Sequence, residues 1–222
     1  MRITRKLQFF ALCIFSSAVK FELSLYLASD TVAGVRQFDE DTVFSQSLDI
    51  FWAKGYRATS MLDLAKETGV QRGSLYNAYG DKEEIFLRVF ERYADRFIAD
   101  ARKALDKPDL RAALEAFFAF AVQSITKGSP SRGCLSTKLA VELDSDSGRQ
   151  QEALKSMLDA LEAALLDALA SPGARSQLKI SAVEAARVAV TMTRGIAVME
   201  RVHGDRKLLK EICNSFINTL LK

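Results

Sequence analysis

The sequence predicts an all-α protein in two parts, a small three-helix head that holds a helix-turn-helix and a larger helical body behind it. Three observations carry that reading. Apolar residues recur at spacings of three and four along most of the chain, and no stretch alternates long enough to argue for a sheet. Prolines number only three in 222 residues, and 49 % of the side chains are hydrophobic, enough for a sizeable core.

The head begins with Asp39-Glu40-Asp41, a helix start signal, followed by Phe44, Leu48, Phe51 and Trp52 on one apolar stripe. Ser60 is a natural N-cap for the next helix, because Asp63 three residues on can reach back to the free backbone N–H groups of the first turn. That helix must be short. Gly69 costs about 1 kcal/mol in a helix interior yet tolerates the positive φ of a sharp turn. A second helix opens near Gln71; Ala65 is small enough to let it approach, and Leu75 is placed to plug the gap between the two. Gly80-Asp81-Lys82-Glu83-Glu84 then restarts a helix, with Asp81 as cap and acids in the first turn, where the helix dipole favours them.

With these elements in order, Phe38-Asp39-Glu40-Asp41, Gly55 to Ser60, Gly69-Val70, Ser74-Leu75-Tyr76 and Asp81-Lys82-Glu83 resemble the TetR/AcrR family of one-component transcriptional regulators from about Arg36 to Tyr93. The resemblance implies double-stranded operator DNA as a partner. Arg72 and Gly73 at the start of the recognition helix, and Asn77 one turn on, match positions that face base edges; an arginine there suits guanine. Ser60, Ser74, Tyr76, Tyr79 and Lys82 match positions that hold the phosphate backbone. Tyr79 has an alternative, which is to pack against the first helix, and Leu75 is read as core. The implied division is an atypical extension over 1–35, a helix-turn-helix DNA-binding domain over 36–80 and a helical effector-binding and dimerisation domain over 81–222.

The body reads as a run of helices. Ile85, Val89, Tyr93 and Phe97 form one face of a long helix ending before Pro108 and linking head to body. The next carries Leu110, Leu114, Phe117, Phe118, Ala121 and Ile125 and closes at Gly128-Ser129-Pro130; a short one follows Gly133 with Leu135, Leu139 and Leu143. Leu154, Met157, Leu158, Leu161, Leu165 and Leu169 make another, stopped by Ser171-Pro172-Gly173. Ser181 with Glu184 is a capping box that starts an alanine-rich helix reaching about His203, Gly204 ends it, and Asp205 caps the last. Ala185, Ala186, Ala189 and Ala197 permit close helix approach, inside the chain or across a homodimer. The resemblance favours the homodimer, in which two heads read the halves of a palindrome. It also implies an unknown small-molecule effector in the body, with Phe117, Phe118, Phe120, Cys134, Met157, Met192 and Met199 as candidate lining; all are equally at home as plain core.

A net charge of only +3 announces no nucleic-acid partner by itself, so binding must depend on where the few cations point. Cys134, beside Arg132 and near a helix start, offers a second reading as a thiol-based sensor of electrophiles or oxidants; its bland reading is a small buried hydrophobe. Cys13 and Cys213 have no metal-ligand or paired spacing, so no cofactor or metal is expected. Nothing in the chain makes a phosphate loop or a nucleophile elbow, and the lone His203 near a helix end is a poor basis for an enzyme. A helical interaction protein without DNA is the remaining alternative. Residues 1–35 carry a basic then apolar run, Met1 to Val19, that mimics a signal peptide and breaks at Lys20 and Glu22, too short to span a bilayer. A start assigned too far upstream, an added helix or a weak tether each account for it; the first agrees with a regulator that works in the cytoplasm.

Overall fold

The computed structural model describes residues 38–222; the leader over 1–35, with Cys13 in it, lies outside the described residues. Three short helices make the head: α1 (Glu40–Lys54), α2 (Met61–Thr68) and α3 (Arg72–Tyr79). The inner face of α1 is wider than the four-residue stripe, since Val43, Ser47 and Ile50 are buried with Phe44, Phe51 and Trp52, while Leu48 is only half-buried. At the start of α2 the predicted capping box forms. The Ser60 hydroxyl oxygen accepts the Asp63 N–H at 3.1 Å, and the Asp63 carboxylate accepts the Ser60 N–H at 2.9 Å. Gly69 ends α2 at φ 65°, the left-handed conformation that disfavours any side chain with a Cβ. Leu75 from α3 is fully buried, and burying one such side chain contributes about 1.5–3 kcal/mol.

α4 (Lys82–Leu105) is capped by Asp81, whose carboxylate accepts the Glu84 N–H at 2.8 Å. Its 24 residues extend about 36 Å, far enough to serve both parts of the molecule. An aromatic spine follows it. Phe51 of α1 meets Phe86 edge-on at 5.0 Å, Phe86 stacks on Phe90 at 5.6 Å, Trp52 meets Tyr93 edge-on at 5.1 Å, and Phe97 reaches Phe120 at 5.0 Å.

The body adds α5 (Leu110–Ile125), α6 (Leu135–Glu142), α7 (Gly148–Leu169), α8 (Pro172–Gln177), α9 (Ala182–His203) and α10 (Arg206–Leu220). Of these, α8 departs from expectation. Ser171-Pro172-Gly173 does stop α7, yet Ser171 also caps a new turn of helix by accepting the Ala174 N–H, and Pro172 sits at its first position, where its missing N–H costs nothing. α7 packs against both α4 and α9. Four of the five alanines of α9 face into the subunit: Ala185, Ala186 and Ala189 are fully buried and Ala197 nearly so. Close approach is therefore used inside the chain. Among the described residues the backbone shows one isolated antiparallel bridge, Leu178 with Leu221, and none of the helices is long and apolar enough to cross a membrane.

Candidate nucleic-acid interface

α3 presents a two-faced cylinder. Leu75 and Tyr79 anchor it inward, Ser74 and Ala78 flank them half-buried, and Arg72, Gly73, Tyr76 and Asn77 are exposed together on the opposite side. Positions i, i+1, i+4 and i+5 of a helix lie along one stripe, so the fold gathers these four without further help. The Arg72 guanidinium lies 5.8 Å from the Tyr76 ring and makes no ion pair among the described residues. No acidic residue occupies the first turn of α3, and its N-cap, Gln71, makes no side-chain capping bond. The leading amide N–H groups are left to whatever approaches from outside.

Gly73 stands apart from the other glycines of the head. Gly55, Gly69 and Gly80 have φ of 87°, 65° and 86°, which the backbone itself demands. At Gly73 the backbone is ordinary helix, and an added Cβ would touch nothing within 4 Å. The fold does not ask for glycine there, although glycine costs a helix about 1 kcal/mol relative to alanine.

Two residues placed on the phosphate-holding face by resemblance are positioned differently. Tyr79 is 4 % exposed, its ring 5.6 Å from Phe44 and its hydroxyl donating to Glu40 at 3.3 Å. It packs on α1, as its alternative reading allowed. Lys82 is half-buried; its ammonium donates to the Tyr56 carbonyl at 2.9 Å and lies 4.3 Å from the Tyr56 ring centre. Burial holds its pKa below the ordinary lysine value, with Glu142 pulling the other way. Lys82 ties down the loop between α1 and α2 rather than standing free. Ser60 remains exposed at the α2 cap, and Ser74 half-exposed on α3.

The same loop is clasped from the body, through partners far away along the chain. Glu142 at the end of α6 accepts the N–H of Tyr56 at 2.8 Å and of Arg57 at 3.2 Å, and Asp144 pairs with the Arg57 side chain. The Glu142 carboxylate occupies the space a Cβ on Gly55 would take. Just upstream, Trp52 donates from its indole to the Gly133 carbonyl at 3.1 Å, Lys138 donates to the Trp52 carbonyl, and the Arg132 guanidinium lies 3.6 Å over the indole ring. Residues 132–144 thus grip the end of α1 and the following loop.

Within that segment Cys134 is the N-terminal flanking residue of α6 and is buried. Its sulfur lies 3.2 Å from the Ser136 hydroxyl, which Arg194 also reaches at 2.5 Å. Burial pushes the thiol up, but the Arg194 charge and the Ser136 contact outweigh it and hold the pKa below 9.0. Cys213, buried in α10 without such help, is pushed up to about 11.

The other candidate effector residues are not brought together. Phe117, Phe118 and Met157 are packed to 2 % exposure or less. Phe120 turns away from them onto a groove beside α1 and α4, and Met192 lines an apolar cleft with Leu208, Ile212 and Phe216 on α9 and α10. Met199 is half-buried on α9. Elsewhere on α9, Val188, Val198 and Val202 are 43 %, 52 % and 70 % exposed. Among the described residues no cluster of three metal-ligating side chains occurs, and His203 is exposed at the end of α9.

Comparison with known proteins adds the following. The family of bacterial regulatory proteins of the tetR type matches residues 44–89, and the tetracyclin repressor-like C-terminal domain matches residues 88–216. The transcriptional repressor ComR of Escherichia coli is 32 % identical over 143 residues, 64 % of this chain and 68 % of its own. The transcriptional activator FasR of Mycolicibacterium smegmatis is 36 % identical over 77 residues, 32 % of this chain and 35 % of its own. A cysteine mutant of the regulator CifR, solved on 26-base-pair operator DNA, superposes with a TM-score of 0.76 at 23 % identity, covering 84 % of this chain and 98 % of that one.

Proposed function

The chain belongs to the tetR family of bacterial regulatory proteins, DNA-binding transcriptional regulators, and from that premise we propose that it is a homodimeric repressor released from a palindromic operator by a small molecule. The observation that carries the DNA face is Gly73. A glycine that the fold does not need, on the outward stripe of an uncapped helix beside an unpaired arginine, fits a surface shaped for close approach by something outside the chain. In this reading Arg72 and Asn77 address base edges, and Tyr76, Ser60 and Ser74 hold phosphates. Lys82 acts one step back, by fixing the loop that leads into α2. The apolar cleft of α9 and α10 and the exposed valines of α9 support the dimer, because apolar surface on a helix pair is covered at low cost by its own copy.

Release needs a device through which the body can move the head. The grip of residues 132–144 on Trp52 and on the Gly55–Arg57 loop supplies one: a ligand that prefers a shifted α6 would drag the entry to α2 with it. Such a ligand acts only through its differential affinity for the two arrangements, typically about 1–3 kcal/mol of coupling. Selection of duplexes from a random pool by the purified protein tests the whole reading. A palindrome with half-site centres about 34–36 Å apart, or a multiple of that, is expected. Enrichment of no sequence, even at low ionic strength, would leave a helical interaction protein as the better account.

A second mode of release is favoured by the setting of Cys134. Its thiol is eased toward thiolate at the start of the segment that grips the head, so a group added there would disturb the grip. Treatment with N-ethylmaleimide should weaken operator binding in the native chain and leave Cys134→Ser unaffected; equal responses would remove this mode.

A further inference from the structure

We propose that the groove between α1, α4 and α5 is a binding site for a planar aromatic anion, separate from the body interior. The groove encloses about 860 Å³, within the range of about 300–1,000 Å³ usual for small-molecule sites. Its walls are aromatic: Trp52 and Tyr93 stand edge to face at 5.1 Å, and Phe97 and Phe120 meet at 5.0 Å with a 45° tilt. Tyr93 and Phe120 are the half-buried members of these pairs, and their rings are the ones that a further aromatic ring can meet.

Charge decides the sign of the ligand. Five cationic side chains line the groove against three carboxylates, and one of those carboxylates, Asp41, is already paired with Arg92 at 2.5 Å. Arg132 is the strongest candidate for the anion. Its guanidinium carbon lies 3.6 Å from the centre of the Trp52 ring, and the side chain lines the groove beside the aromatic wall. A carboxylate in the guanidinium plane is the acceptor whose geometry fits an arginine. Arg206, by contrast, already donates to the Thr126 carbonyl at 2.5 Å.

The site touches α1 of the head on one side and α4 and α5 of the body on the other, so an occupant senses any change in their relation. In that consequence the inference rests on the ligand-responsive reading above; the binding itself does not. Trp52 is the chain's single tryptophan and forms part of the wall, so its fluorescence reports occupancy directly.

The test is titration of the full chain, without DNA, with 2-naphthoate and with its neutral analogue 2-naphthamide, read by calorimetry and by Trp52 emission. Naphthoate should bind at least tenfold tighter than the amide and change the emission. Phe120→Ala and Arg132→Met should each weaken naphthoate at least tenfold, while Phe117→Leu in the body interior should not. Equal affinity for acid and amide, an unmoved Trp52 signal, or loss on Phe117→Leu with none on Phe120→Ala would overturn the proposal. If Arg132→Met fails to fold, the acid-amide comparison on the native chain and Phe120→Ala still decide it. Naphthoate that binds by these criteria yet leaves operator affinity unchanged would uphold the site and sink the release mechanism instead.

Discussion

The two short helices of the turn unit, eight residues each, begin in opposite ways. α2 is closed at both ends: a reciprocal capping box at Ser60 and Asp63 satisfies its leading amides, Asp63 is further paired with Lys54 at 2.6 Å, and Gly69 seals its far end in the left-handed conformation. α3 begins with an uncapped glutamine, carries a glycine its backbone does not need, and is anchored by Leu75 and Tyr79 on its inner side. One helix is built to stay put and the other to be met. In a small domain, local stability left incomplete without a local reason marks a surface kept for something outside the chain.

That contrast yields graded expectations. Leu75→Ala should be the most damaging change, destabilising the fold by about 2–5 kcal/mol in denaturant unfolding, because it hollows the fully buried one of the two side chains that seat α3. Arg72→Ala should leave unfolding within about 0.5 kcal/mol of the native chain, yet relax preference at one or two base pairs by about 1–3 kcal/mol in competition binding. A stability loss at Arg72 as large as its binding loss would break the comparison. Ser60→Ala should destabilise by about 1 kcal/mol, since it opens the α2 cap. Gly73→Ala should do the reverse, stabilising by about 0.5–1 kcal/mol while weakening operator binding. Were Gly73→Ala to bind operator as well as the native chain, α3 would not approach DNA at that position.

The smallest effect is one of pH. The Lys54 contact, then the Ser60 hydroxyl and N–H, hold the Asp63 carboxyl well below the ordinary 3.8. A depressed folded-state value means that its contribution is present above pH 3.8 and is lost as pH falls toward the folded value. Amide exchange of the first turn of α2 should therefore speed up between about pH 4 and pH 2 relative to that of α3, which has no capping carboxylate to lose. Equal changes in both helices would mean that the cap is not what separates them.

What the sequence made legible is what is decided over three or four residues. The caps at Ser60, Asp81, Ser181 and Asp205 and the ends at Gly69 and Gly204 all fall where the residues imply. α8 escaped because Ser171-Pro172 is both a stop and a start, and a chain read from its N-terminal side meets the stop first. The candidate site was half legible. Arg72, Gly73, Tyr76 and Asn77 share a stripe by helical arithmetic alone, whereas Lys82 depends on a carbonyl 26 residues earlier, which no periodicity reports. The body was hardest. Phe117 and Phe118 could not be told from Phe120 until α5 was oriented, and Glu142 gave no sign of its partners 85 and 86 residues upstream.

The carboxylate of Glu142 resting where Gly55 has no side chain bears on how such regulators can be recombined. A hybrid made by grafting a foreign head onto this body would inherit the acid without its vacancy, unless the graft also carried glycine at the matching place. The loop ahead of α2 would then lose its clasp, so the pair should travel together in any such graft.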